Sequence, residues 1–243
     1  MALAETLTWP FFEAHHREFA AALARWADAT LPGLPHDDVD AACRARVAAL
    51  GKAGFFKTVV PAEHGGLHER LDVRTICLAR EILAFRDGLA DFAMAMQGLG
   101  TGSISLYGTP ELKRRYLPPV RDGKAIAAFA LSEPEAGSDV AAMATTASPD
   151  GNAHVRIDGA KTWISNGGIA DHYVVFARSG EAPGAPRRCV TGTRQASNYS
   201  VASGCGAITS MRSATLSPGV PASTMKADRP FAPEPSPVRA NTT

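Results

Sequence analysis

The sequence is short of cysteine, of charge imbalance and of long apolar runs, and each shortage excludes something. Four cysteines occur in 243 residues, Cys43, Cys77, Cys189 and Cys205, and none forms a Cys-x-x-Cys pair. Neither a zinc–thiolate centre nor a disulfide scaffold is indicated, so a reducing, cytoplasmic setting is expected. The 25 basic residues nearly cancel the 24 acidic ones, leaving a formal charge of +1. No global field therefore argues for nucleic acid or membrane lipid as a partner. No apolar run approaches the roughly 20 residues that span a bilayer. Residues 1–10 lack the basic flank and apolar stretch of a signal peptide. The histidines show no ligand spacing. His15 and His16 are neighbours on an expected helix, and His64 and His68 are separated by Gly65–Gly66. No metal site is expected.

What is present divides the chain. In 10–28, Phe12, Phe19, Leu23 and Trp26 recur at helical spacing, with Pro10 suited to a first turn. Further helices are expected at about 38–52, 71–86 and 90–107. Thr109–Pro110 reads as a cap and start of a short helix that Pro118–Pro119 stops. The pattern changes near Gly123. Residues 125–131 and 172–177 are apolar runs of strand length. Residues 155–157 and 161–164 flank Asp158–Gly159 and read as a hairpin. From Arg187 onward there are 15 Ser or Thr, 6 Pro and a single Leu, whereas residues 1–186 hold 16 Leu. That stretch has too little apolar surface to offset its chain entropy and is expected to be disordered. It also carries 7 basic and 2 acidic residues, against 18 and 22 before it.

Two segments could carry chemistry. Phe129-Ala130-Leu131-Ser132-Glu133-Pro134-Glu135-Ala136-Gly137-Ser138-Asp139 ends a strand in a hydroxyl residue and a small-residue turn. Gly137 would let backbone approach a ligand, and successive N–H groups in such a turn can hold an anion. An ordinary β-turn with Ser as a local cap fits the same residues. Next, Gly159-Ala160-Lys161-Thr162-Trp163-Ile164-Ser165-Asn166-Gly167-Gly168 places a Trp and a hydroxyl residue before a Gly-rich turn. That Trp is either a stacking surface or a core residue. Glu133 and Asp139 read as turn formers, and Lys113, Arg114 and Arg115 as a solvated helix face.

Order and spacing add to this. Gly54-Phe55-Phe56 with Val60-Pro61-Ala62-Glu63-His64-Gly65-Gly66, then Tyr107-Gly108-Thr109-Pro110-Glu111-Leu112-Lys113 with Tyr116-Leu117-Pro118, then Ser132-Glu133-Pro134 with Ala136-Gly137-Ser138-Asp139, then Trp163-Ile164-Ser165-Asn166-Gly167 with Ala170-Asp171, follow one another. In this order the chain resembles the acyl-CoA dehydrogenase family over most of 1–180. The resemblance implies an oxidoreductase acting on CH–CH groups, in fatty acid or amino acid catabolism. An acyl-CoA thioester there loses a proton at Cα to a glutamate and a hydride at Cβ to the flavin of FAD. It implies that Phe129, Leu131, Ser132, Gly137, Ser138, Trp163, Ile164 and Ser165 line the cofactor. The Leu131 backbone and Ser132 hydroxyl would face the pyrimidine edge, and Ser138 the pyrophosphate and the CoA side of the cleft. Trp163 would pack on the ring, with Ser165 near N5. Ser132 and Ser165 stand where members of the family often have Thr. Implied partners are the acyl-CoA substrate and an acceptor such as electron-transfer flavoprotein, with a homo-oligomer in complete members.

The resemblance fades after 186. The long C-terminal helices that carry the family's catalytic glutamate are not recognisable, so no catalytic base is assigned. The compositional break suggests a frameshifted or misassembled tail, with a natural Ser/Pro-rich linker as the competing reading. The expected fold is α+β: an N-terminal helical bundle (1–123), a truncated β-barrel-like or sandwich domain (124–186) and a disordered tail (187–243). The expected function is FAD-dependent dehydrogenation, with this chain inactive by itself. A flavin monooxygenase or oxidase on the same fold, or a non-catalytic acyl-CoA-binding fragment, remains open.

Overall fold

A computed structural model describes residues 5–150, 154–178, 187–193, 199–201, 209–211 and 214–215. Among the described residues, five long α-helices come first: α1 (Ala14–Thr30), α2 (Val39–Lys52), α3 (Val73–Arg86), α4 (Gly88–Tyr107) and α5 (Pro110–Arg121). Short polar side chains start four of them, because orphan N–H groups of a first turn need acceptors. Asp38 accepts from the Ala41 N–H, Asp72 from Arg74, Asp87 from Ala90 and Thr109 from Leu112. Helix α1 begins at Ala14, four residues later than Pro10 suggests. Its entry is set by His16 Nδ1, which accepts the Glu13 N–H at 2.9 Å.

Helix α5 runs through Pro118–Pro119 to Arg121 rather than stopping there. Buried Tyr116, Leu117 and Val120 anchor that face. The Pro119 carbonyl still accepts from the Lys124 and Ala125 N–H groups. Packing thus outweighs the bonds the two prolines forgo.

The strands are β1 (Ala127–Ala130), β2 (Thr146–Asp150), β3 (His154–Asp158), β4 (His172–Arg178), β5 (Arg187–Thr193), β6 (Tyr199–Val201), β7 (Thr209–Met211) and β8 (Ala214–Thr215). β4 is central. It runs parallel to β1 on one edge, with Ala127 opposite His172, and antiparallel to β5 along its full length on the other. β2 and β3 form the hairpin, with Thr146 opposite Asp158, and β2 meets β4 at Thr146 and Arg178. β8 adds to β3, and β6 pairs with β7.

One expectation is corrected here. The Asp158–Gly159 hairpin does not form: β3 pairs backwards onto β2, and residues 161–164 are not a strand. Trp163 sits at φ 54°, which breaks an extended run, and at Gly159, φ 148°, a Cβ would collide with Thr145. In the stretch whose composition predicts disorder, residues 187–193 form β5. A backbone ladder needs only an unpaired partner edge, and β4 supplies one whatever the side-chain composition. The Pro-rich residues 216–243 lie outside the described residues.

One core runs through both halves, including Leu23, Leu50, Leu83 and Leu117 from the helices and Ala128, Val174 and Ala177 from the strands. Helix α4 meets β1 through Gln97. Its buried amide donates to the Ala125 carbonyl and accepts the Ala127 N–H, both at 2.8 Å. No helix among the described residues is long and apolar enough to cross a membrane.

Candidate functional site

The segment after β1 and the segment before β4 are stitched side by side. The Thr162 N–H donates to the Ser132 carbonyl at 3.0 Å. Further along, Asn166 donates to the Ala127 carbonyl, and the Asp171 carboxylate accepts the Ile126 N–H at 2.7 Å. The 161–171 loop therefore lies along β1 and its continuation.

A buried ion pair fixes the join. Lys161 Nζ donates to Glu133 Oε1 and to the Leu131 carbonyl, each at 2.8 Å. Glu133 also accepts the N–H groups of Ala144 and Thr145 at 2.6 and 3.0 Å. Burial pushes the Glu133 carboxyl up, but hydrogen bonds from Lys161, Thr145 and Ala144 outweigh it and hold the group below its ordinary value. Burial lowers Lys161, opposed by Glu133. Glu133 is thus an ionised clamp with its oxygens committed, and not a base. It also closes the tight turn with Ala136 through reciprocal backbone bonds, so the turn-forming role read from the sequence is present as well.

The clamp leaves other groups open. Trp163 is 61% exposed although it is the bulkiest residue of its loop. Its left-handed backbone costs about 1–2 kcal/mol for a residue with a Cβ. Asn166, also left-handed at φ 62°, is held by Ala127 and by the Cys43 thiol of α2 at 3.4 Å. Strain of this kind, over-determined by its neighbours, is characteristic of ligand clamps.

Gly137 and Ser138 are exposed in their turn, with nothing near the position a Gly137 Cβ would take. Leu131, Ser132 and Ser165 are half-buried at the rim. Phe129 packs its ring on Phe176 at 5.0 Å, and Ile164 is buried in the core. Lys161 and Gln97 were not singled out by sequence reasoning. A lone lysine before Trp163, within a segment of small and apolar residues, was the available signal for the first.

The geometry is that of a β-rich domain presenting an exposed Trp163 and an open small-residue turn beside a helical bundle. A family model described as "Acyl-CoA dehydrogenase, N-terminal domain" matches residues 13–124, and one described as "Acyl-CoA dehydrogenase, middle domain" matches 128–203. The chain belongs to the acyl-CoA dehydrogenase family. The middle-domain match runs past residue 186, so likeness to the family continues into β5 and beyond the expected break.

A probable acyl-CoA dehydrogenase, FadE25, of Mycobacterium tuberculosis is 38% identical over 166 residues, 67% of this chain and 41% of the relative. The mitochondrial very long-chain specific acyl-CoA dehydrogenase of Rattus norvegicus is 37% identical over 166 residues, 67% of this chain and 25% of the relative. A crystal structure of an acyl-CoA dehydrogenase complexed with FAD from Bacillus anthracis superposes with a TM-score of 0.69. It is 28% identical and covers 88% of this chain and 38% of its own. The chain thus spans well under half the length of these relatives.

Proposed function

We propose that the 131–138 turn and the 163–165 loop hold FAD, and that the site serves α,β-dehydrogenation of an acyl-CoA thioester. The observation that carries this is Trp163, exposed and strained on a loop that a buried Lys161–Glu133 pair locks in place. A single exposed Trp on a soft loop would be unremarkable, but one held at an energetic cost implies an occupant for its face. FAD bound there supplies a hydride acceptor.

The chain's own residues orient and polarise. Trp163 gives the packing surface. The Ser132 hydroxyl and the Leu131 backbone would donate at the pyrimidine edge, where negative charge gathers on reduction, and Ser165 would donate near N5. Gly137 and Ser138 receive the phosphate end through their backbone. Glu133, already bound to three partners, does not remove the substrate proton. The carboxylate that does is expected outside the matched N-terminal and middle domains. We therefore propose that residues 1–243 alone do not turn over acyl-CoA, and that in the whole enzyme the electrons leave to a protein acceptor of the electron-transfer flavoprotein kind.

Titrating the chain with FAD, followed by flavin absorbance and quenching of Trp fluorescence, tests the placement. Partial enclosure leaves rigid-body entropy poorly offset, so affinity is expected to be weak. Trp163→Ala should weaken it by at least about tenfold, the size of a lost stacking contact. Equal affinity in that variant would place the flavin elsewhere.

A further inference from the structure

A second cluster lies in the helical region, on α1 and at the start of α3. A ring nitrogen of His15, a ring nitrogen of His68 and a carboxylate oxygen of Asp72 lie within 4.8 Å of one another. His15 Nε2 and Asp72 Oδ2 are 3.5 Å apart. That is long for a hydrogen bond between a ring nitrogen and a carboxylate. It matches two ligands of one tetrahedral ion, which stand about 3.4 Å apart when each bond is near 2.1 Å.

Two distant parts of the chain, the start of α1 and the 68–72 stretch, are held in place to make this corner. His68 is fixed through its backbone: its carbonyl accepts the Ala62 N–H at 2.7 Å, and the Leu67 N–H reaches Lys57 at 2.9 Å. The turn that returns it there uses Gly65 at φ 84° and Gly66, where a Cβ would collide with the Val60 carbonyl. The Gly-Gly pair that rules out a helical His64–His68 site is thus what carries His68 to His15, their rings 5.5 Å apart.

Asp72 is prepared as a ligand. His16 Nδ1 accepts the Glu13 N–H, so its proton is on Nε2, which donates to Asp72 Oδ2 at 2.8 Å. Thr75 donates to the same oxygen at 3.1 Å, and the Arg74 N–H to Oδ1 at 3.0 Å. Glu13 Oε2 stands 3.6 Å from His15 Nδ1, the nitrogen a metal would leave free. Carboxylates behind ligating imidazoles, and donors behind ligating carboxylates, are the usual second layer of a metal site. Arg74 is the nearby cation. Its Nε faces Asp72 Oδ1 at 3.4 Å and its Nη1 faces Glu13 at 3.2 Å.

We propose that His15, His68 and Asp72 bind a divalent transition-metal ion of the zinc class, with Glu13 and His16 as positioning residues and one position open to water. Two imidazoles and one carboxylate suit Zn2+ and its Co2+ substitute, and not Ca2+ or Mg2+, which require oxygen ligands. The ion would tie the start of α1 to the 61–68 turn and to the N-terminus of α3. The flavin reading plays no part in this.

The test uses the untagged full chain, titrated with Zn2+ by calorimetry and with Co2+ by visible absorption. One ion per chain and intense tetrahedral Co2+ bands are expected. His15→Ala and His68→Ala should each weaken Zn2+ binding by at least about tenfold, and the double variant by about 100-fold or more. His36→Ala should bind as the parent does. His15→Cys should retain Co2+ and add a thiolate charge-transfer band, which a merely structural hydrogen-bond cluster would not give. His15 is exposed, so its variants are expected to fold, and far-ultraviolet circular dichroism checks this. No binding by the parent chain, or undiminished binding in the double variant, overturns the proposal.

Discussion

Lys161 shows how much one side chain carries. It is 1% exposed and reaches across 28 residues of sequence to Glu133. Removing one member of a buried pair strands the other, at about 3–5 kcal/mol. Lys161→Met should therefore lower unfolding free energy by about 3 kcal/mol, the lower end, because Glu133 keeps its two backbone donors. Adding Glu133→Gln should recover part of the loss. Urea denaturation of the single and double variants checks both values, and additive losses would mean the two residues are not coupled.

Trp163 separates stability from binding. Trp163→Gly relieves the left-handed strain, and since the ring is mostly exposed little burial is lost. Glycine's greater chain entropy takes back about 0.5–1 kcal/mol. The net change should lie between zero and about 1 kcal/mol of added stability, while FAD affinity falls. Thermal melts showing a loss above about 1 kcal/mol would mean Trp163 is a packing residue after all.

Among the elements, the contact of α4 with β1 is the tightest joint between helices and strands. A Cβ on Gly100 would stand 2.4 Å from the Ala127 Cβ. Helix propensity alone favours alanine there by about 1 kcal/mol. The clash works against it, and overpacking costs typically about 1–3 kcal/mol. Gly100→Ala should accordingly destabilise the chain. A gain in melting temperature would show that α4 can slide away from β1.

Helix α2 is joined to the start of α4 by Arg46. Its guanidinium holds the Asp87 carboxylate through Nε and Nη2, at 2.6 Å for the shorter contact, while Asp87 caps Ala90. Arg46→Ala leaves a buried carboxylate without its cation and should cost about 3–5 kcal/mol. Chemical denaturation gives the value. A cost below about 1 kcal/mol would place the pair among exposed salt bridges.

At the scale of the molecule, His172 sits where strands and helices meet. It begins β4, stacks near Tyr116 of α5 with ring centroids 5.0 Å apart, and bonds to Gly100 of α4. Burial lowers its pKa from 6.5 to about 4, against the opposing pull of the Gly100 carbonyl and Asp171. The unfolded chain takes up this proton near pH 6.5, but the folded chain only near pH 4. Stability from this group is complete above about pH 6.5 and is lost as the pH falls toward about 4. The loss is about 3 kcal/mol, at about 1.4 kcal/mol per pH unit. Unfolding curves across that window should steepen accordingly, and His172→Leu should flatten them. An unchanged slope would assign the acid sensitivity to other groups.

Much of this was determined by the sequence alone. Thr109–Pro110 names its own helix start, the apolar runs at 125–131 and 172–177 name β1 and β4, and the ordered small-residue motifs name the family. These signals are local, set by caps, periodicity and turn chemistry within a few residues. Only the tertiary structure decided the rest. Nothing near Lys161 says that its partner is Glu133, that Asp158–Gly159 yields its hairpin to β2 and β3, or that His15 faces His68. Each depends on which distant backbone comes close enough to satisfy a buried charge or an unpaired N–H. That proximity follows from packing the whole chain around one core.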